Sequence, residues 1–431
     1  MDDLLADPPV AVAIRVRPTT GTLPFDPTSN GSSYTWGLSA QAFNSGFASG
    51  QTYTQIHNSL LPYGVNFAAP AFTSIAGTMH SPMWEEWNLQ LQQQLGNATA
   101  VIVNYVGNHG LRIPYENGYP NAYDGGGIWP TGTLPPAVPV PNYGTVIQVQ
   151  SGAISNYAGL TVSVRHNFSK WFSAHANYTW SHTLDELSNG GLFPYSTEAS
   201  SFAQNQLCPQ SLRSCNYGNA DYDIRHSFNA DYVVHPSYHF SNGFLSQALG
   251  GWEWSGKMFW RSGLPFSVVD GNLNGGIVNG TATVLATPIL PGPNPGQGSC
   301  GRSNASVSGT ATPCLNAAAF LDTGYDPAGT QGTAPAFSRQ TRNQYRGPHF
   351  FDIDMSLFKN FKFGERFTFA LGAQAFNVFN HPNFQGPDNY LGDSTFGQIS
   401  AMTPMPTSPY GTFLGFDSSV RVVQVAAKII F

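Results

Sequence analysis

Apolar and polar residues alternate with a period of two along much of the chain. Over 157–168, Ala158, Leu160, Val162, Val164 and Phe168 share one parity, while Tyr157, Gly159, Thr161, Ser163, Arg165 and Asn167 share the other. Over 171–182, Phe172, Ala174, Ala176, Tyr178 and Trp180 oppose Ser173, His175, Asn177, Thr179 and Ser181. Successive side chains of a strand point to opposite faces, so each such segment predicts a strand with one apolar and one polar side. The same pattern runs through 84–95 (Trp87, Leu89, Leu91, Leu95), 98–107 (Val101, Val103, Tyr105), 222–234 (Phe228, Ala230, Tyr232, Val234) and 252–262 (Trp252, Trp254, Met258, Trp260). Nearer the carboxyl end it recurs in 350–359 (Phe351, Ile353, Met355, Leu357), 365–380 (Phe367, Phe369, Leu371, Ala373) and 423–431 (Val423, Val425, Ala427, Ile429, Phe431). These are nine strands, and VAVAIRVR at 10–17 is a candidate for a tenth.

The connections between these strands alternate too. Gly96–Asn97, Ser169–Lys170 and about 361–364 are short, and 235–250 is intermediate. The intervening connections, about 108–154, 184–221, 263–348 and 381–419, are long and rich in Gly, Pro, Asn and Ser. Loops beyond about 12–15 residues are uncommon in compact soluble domains. Here every second connection is that long, and all of them emerge on one side. Outer-membrane barrels sort their connections in this way, with short periplasmic turns and long extracellular loops.

Composition narrows the class further. Only 10% of the 431 residues are charged, 13% are aromatic, and the chain carries 46 Gly and 32 Pro. Ordinary soluble domains are about 25% charged. Hydrophobic content of 41% argues against a disordered chain. A net charge of −6 without a basic cluster excludes nucleic acid as the expected partner. No apolar run approaches the length of a membrane-spanning helix, about 18 residues or more. Aromatic residues gather at strand ends, among them Trp171, Phe172, Trp180, Trp252, Trp254, Trp260 and Phe379, as the girdles of a membrane barrel would require. The fold expected is therefore all-β, a partial antiparallel transmembrane β-barrel of about nine or ten meander strands with long extracellular loops. Residues 82–431 would form the outer-membrane barrel portion, and 1–81 would be mostly extracellular loop around the strand candidate at 10–17. The location expected is the bacterial cell outer membrane, with its lipid as the partner of the apolar face. The amino end, MDDLLADPP, lacks the basic and apolar regions of a signal peptide. On that ground the chain reads either as cytoplasmic or as a piece of a longer exported protein.

Candidate chemistry changes this picture little. On the polar strand faces, Arg165, Arg225, Asp231, Glu253, Lys257, Arg261, Asp352 and Asp354 are expected to be lumen charges that pair with one another. Asp352 and Asp354 share a face two apart, as paired catalytic carboxylates might be arranged, but lumen ion pairs explain them better. His166, His175, His182, His226 and His235 show no zinc-like spacing. Residues 251–258 nearly spell a phosphate-binding loop, yet Met258 stands where Ser or Thr is needed and the stretch alternates as a strand. Asp270, Asn272 and Asn274 imitate the start of a calcium loop, but Thr281 occupies the twelfth position, where a Glu belongs. No catalytic constellation stands out; an enzyme, a metal site and a cofactor are not expected.

Several segments resemble a known family. WNLQLQQQLGNATAVIVNYVGNHGLRI (87–113), NYAGLTVSVRHNFSKWFSAHANYTWSHTLDE (156–186), DYDIRHSFNADYVVHP (221–236) and GGWEWSGKMFWRSGLPFSV (250–268) are similar to the carboxyl-terminal barrel of TonB-dependent receptors of the Oar-like type. The likeness continues through RGPHFFDIDMSLFKNFKFGERFTFALGAQAFNVFNHPNF (346–384) and the last strand, so it covers about 80–431. The resemblance implies a large outer-membrane barrel around a plug and uptake of a bulky substrate powered through TonB. TonB would act only through a plug, and neither a plug nor a TonB-contacting box is visible in this chain. Plugged transporters have about 22 strands, so the chain is expected to be the last part of a receptor. A smaller self-contained pore or adhesin is the alternative, and a soluble secreted β-protein a more distant one. The resemblance also implies that the barrel assembly machinery reads the final strand, with Val423, Val425, Ala427, Ile429 and Phe431 as its signal. The substrate itself stays unnamed. An oxidising outer side and an even cysteine count lead to two expected loop disulfides, Cys208–Cys215 and Cys300–Cys314; four unpaired thiols are the alternative.

Overall fold

The structure is a computed structural model, and it describes residues 42–60, 72–75, 77–117, 120–121, 135–141, 143–144, 146–169, 171–187, 217–236, 243–270, 287–288, 300, 313–321, 342–363, 367–402 and 420–430. Nine long strands dominate it: β1 (Met83–Leu95), β2 (Thr99–Asn117), β3 (Val146–Ser169), β4 (Phe172–Asp185), β5 (His226–Val234), β6 (Trp252–Arg261), β7 (Phe350–Phe363), β8 (Phe367–Phe376) and β9 (Val422–Ile430). Each pairs antiparallel with its neighbours in sequence, so the sheet order is the chain order from β1 to β9. The candidate strand at 10–17 lies outside the described residues.

Register keeps the two faces apart across the whole sheet. On one face Leu91 pairs Val103, Val103 pairs Val162, Val162 pairs Tyr178 and Tyr178 pairs Phe228. Farther along the same face Leu357 pairs Trp254 on one side and Ala373 on the other, and Ala373 pairs Val425. On the opposite face Thr161 pairs Thr179, Asn177 pairs Asn229, Ser255 pairs Ser356 and Gln374 pairs Gln424. A shift of one residue anywhere would turn a whole strand inside out. Much of the apolar face is open: Leu91 is 65% exposed and Val425 78%. Water-soluble proteins rarely expose a continuous apolar surface of this extent; a wall facing lipid does so by design.

The strands differ in reach. About 9–11 tilted residues cross a bilayer, but β2 has 19 and β3 has 24. Their hairpin therefore rises well beyond the membrane on the side of the long connections. Its register slips between Gly110 and Pro114, where Arg112 has a positive φ of 56°. Pro114 stands opposite Ser151 of β3 and above Leu111, where the pairing with β1 ends, so it lies on a stretch with an edge, where a strand tolerates proline. Residues Phe72–Ile75 pair parallel with Val146–Val149 at the same end, and helix α1 (Tyr53–Leu60) precedes them.

The short turns between β1 and β2 and between β3 and β4 lie at one end of the sheet, together with helix α2 (Gly243–Leu249) between β5 and β6. The described parts of the connections 118–145, 186–225, 262–349 and 377–421 lie at the other. There, and not between sheet layers, sits the larger hydrophobic cluster among the described residues: Phe266, Val268, Leu315, Ala319, Phe320, Tyr345, Leu391 and Phe396. The last two long connections thus fold against each other as a cap.

Candidate functional site

Two features mark the polar side of the sheet: a charged row on the wall and the cap at one end of it. The row follows from register alone. Arg165 stands opposite His175, His175 opposite Asp231, Asp231 opposite Lys257, and Lys257 opposite Asp354. Five adjacent strands thus place one charged or titratable residue each at the same level. His175 Nδ1 lies 3.1 Å from Asp231 Oδ2, and Asp354 accepts the backbone N–H of Asn377 at 3.0 Å. Side by side with this row runs a neutral one, in which the Ser255 and Ser356 hydroxyls meet at 2.6 Å and the Gln424 amide donates to Gln374. Between them the wall forms a depression of about 560 Å³ lined by Asp231, Ser255, Lys257, Asp354, Ser356 and Gln374, among others.

The remaining sequence candidates lie elsewhere. Asp352 is opposite Phe259, one step nearer the cap. Glu253 lies at the short-turn end, where its carboxylate is 3.7 Å from His235. Arg225 and Arg261 sit at the mouth rather than in the row. Arg261 is buried over the Phe350 ring, 5.5 Å from its centroid. Arg225 donates to Asp223 at 2.8 Å and to Asn219 at 2.9 Å. Val423, Val425, Ala427 and Ile429 line the apolar face of β9, whose outer edge pairs with no other strand among the described residues. Phe431, Cys208 and Cys215 lie outside the described residues. Cys300 and Cys314 are disulfide-bonded, with Cα atoms 5.3 Å apart. The stretch that imitates a phosphate loop is strand β6, and of the calcium-loop imitation only Asp270 is described. Among the described residues no three His, Cys, Asp or Glu side chains gather as a metal site.

The cap network is the part that sequence reasoning did not reach. Asp223 is fully buried, accepts from Arg225 and Arg346, and takes the Thr183 backbone N–H at 2.7 Å. Asp185, at the end of β4, pairs with buried Arg342. Asn343 donates to Asp221 and to the Asn219 carbonyl, both at 2.7 Å, and its N–H donates to Ser267. Asn389 reaches the Ser267 carbonyl at 2.7 Å. These contacts tie three long connections into one body. At Gly397, with φ +74°, an added Cβ would lie 2.8 Å from the Leu315 nitrogen, so two connections touch there backbone to backbone. Burial pulls the Arg346 guanidinium down, against the pull of Asp223. Burial alone pushes Tyr345 from 10.0 up to about 12.

The outer membrane beta barrel domain family matches residues 10–424. None of the curated proteins matches the chain. Among solved structures it is similar to the outer membrane transporter YddB from Escherichia coli, with a TM-score of 0.42 and 10% identity over 85% of this chain and 35% of that one. It is also similar to the FrpB iron transporter from Neisseria meningitidis, with a TM-score of 0.35 and 8% identity over 84% of this chain and 33% of that one. A Pseudomonas aeruginosa FadL homologue matches with a TM-score of 0.20 and 9% identity, over 72% of this chain and 53% of that one. The chain spans about a third of the length of the first two.

Two predictions follow from the cap. Replacing Asp223 by Ala removes the carboxylate that Arg225 and Arg346 share and leaves the buried Thr183 N–H without its acceptor, which costs about 1–3 kcal/mol. Limited proteolysis of the membrane-inserted variant should then cut within the connections 186–225 and 262–349 while the strands stay protected. Tyr345 supplies a pH test. Its folded-state pKa lies above the ordinary value, so folding favours the protonated phenol. That contribution is complete below pH 10.0 and is lost as pH rises toward about 12. Its hydroxyl is buried and has no hydrogen-bond partner among the described residues. Tyr345→Phe should therefore leave the cap at least as stable at neutral pH and reduce its loss of protease resistance between pH 10 and 12.

Proposed function

The chain belongs to the outer membrane beta barrel domain family, and from that premise we propose that it is the carboxyl-terminal wall of a TonB-dependent receptor of the Oar-like type. It is a protein of the bacterial outer membrane. In the proposed assembly it takes a bulky substrate inward past a plug supplied from outside the nine strands. The charged row and the polar row beside it line the path, the cap meets the substrate first, and none of these groups acts as a catalyst.

One observation carries the reading. β1 and β9 both run from the cap end to the short-turn end, because an odd number of hairpin-linked strands begins and ends in the same direction. Direct pairing of β1 with β9 would be parallel, whereas bacterial barrels close with an even number of antiparallel strands. An antiparallel seal therefore calls for strands beyond the nine among the described residues, odd in number, and the candidate at 10–17 would be one of them. The nine long strands among the described residues, with the candidate at 10–17, are also well short of the about 22 strands that surround a plug. The six segments that resemble Oar-like receptors support the family type, and the polar face of the sheet supports a path along it.

The test is uptake in cells that carry the locus intact. Accumulation of labelled siderophores or oligosaccharides should fall to background when this chain is deleted, and equally when TonB is deleted. Uptake that needs the chain but persists without TonB would overturn the reading in favour of a passive pore.

A further inference from the structure

Helix α2 breaks the rule by which surface helices hide their apolar side. Its Phe244, Leu245, Ala248 and Leu249 are exposed, Phe244 to 79%, while Ser246 is half-buried. At 3.6 residues per turn these four apolar side chains fall within an arc of about 140°. Where this helix lies is fixed by Lys359. By register Lys359 belongs to the apolar face of the sheet, opposite Trp252 on one side and Leu371 on the other. Yet it is buried, and its ammonium donates to the carbonyls of Ala248 and Gly250, at 3.2 Å for Ala248. It also lies over the rings of Trp252 and Phe361, 5.3 and 5.6 Å from their centroids. The Trp252 indole N–H donates to the same Ala248 carbonyl at 3.1 Å. Two side chains of the lipid-facing parity thus reach one helix end, so that end of α2 sits on the outside of the wall, at the short-turn rim.

We propose that α2 is an interfacial helix whose apolar arc is immersed in the phospholipid of the inner leaflet. Trp252, Leu371 and Phe361 of the apolar face flank Lys359 at this helix end, so the lipid that covers the sheet face reaches the helix there. The peptide carries no charge of its own (GFLSQAL). Lys359 supplies the cation that helix C-terminal carbonyls favour, and those carbonyls give the ammonium a place outside hydrocarbon. The lysine and the helix therefore solve each other's problem at the membrane boundary, and the rim is held at a fixed depth.

Photo-crosslinking in outer membranes of cells expressing the gene in its native setting tests this. A benzophenone side chain placed at position 244 should yield phospholipid adducts, as should one at lipid-facing Leu357, whereas one at Ser255 on the polar face should not. Lys359→Met should diminish the lipid adducts at 244 and leave those at 357 unchanged. Protein adducts in place of lipid at 244, or no lipid adducts there while 357 gives them, would overturn the proposal. Adducts at 244 that Lys359→Met leaves unchanged would overturn the role of the lysine.

Discussion

A backbone amide inside hydrocarbon has no water to turn to, and each unsatisfied group there costs several kcal/mol. Everything in this wall follows from that constraint. Each of the seven interior strands is paired on both sides in unbroken antiparallel order. Once the amides are paired, the pleat assigns side chains to two faces. The sequence then needs only period-two alternation to make one face apolar and the other polar. Register preserves the assignment from Leu91 on β1 to Val425 on β9.

The same chain solves a different problem at its cap end, where water is present on all sides. There the connections bury Phe266, Phe320, Tyr345 and Phe396 in an ordinary core and place two carboxylate–arginine clusters under it. Buried ion pairs add little net stability, because desolvation offsets most of the attraction. Their geometry, however, is specific. Asp223 can satisfy Arg225, Arg346 and the Thr183 amide only when β4, β5 and the third long connection are correctly arranged. The network thus sets which loop sits where at the cap end of the polar face, and the disulfide joining Cys300 to Cys314 pins one of those loops against the core.

Much of the wall was legible in the sequence because its determinant is local. The nine strands, their faces and the sorting of long and short connections can all be read from alternation and spacing. The extended hairpin of β2 and β3 was read short. Above the membrane both faces meet water, and GNHGLRIPYEN with its bulge and proline loses the contrast that marks a half-buried strand. The cap was hidden for another reason. Asp185 and Arg342 stand 157 residues apart, and nothing near either one announces the other. Phe266, Leu315 and Phe396 look like scattered apolar residues in Gly- and Pro-rich loops until the fold gathers them. The charged row lies between these extremes: its members stood out individually as polar-face charges. Their common level depends on the pairing register, which also places Arg225 and Arg261 at the mouth.

The central claim is that parity decides solvent: odd positions of β8 face lipid and even positions face the polar interior. Denaturant unfolding of the membrane-inserted protein with Arg at neighbouring positions tests it directly. Ala373→Arg should cost about 2–4 kcal/mol, the penalty for a guanidinium on the lipid face near the bilayer midplane. Gln374→Arg, one residue along, should cost close to nothing. Equal penalties at the two positions, or the larger one at Gln374, would contradict the account.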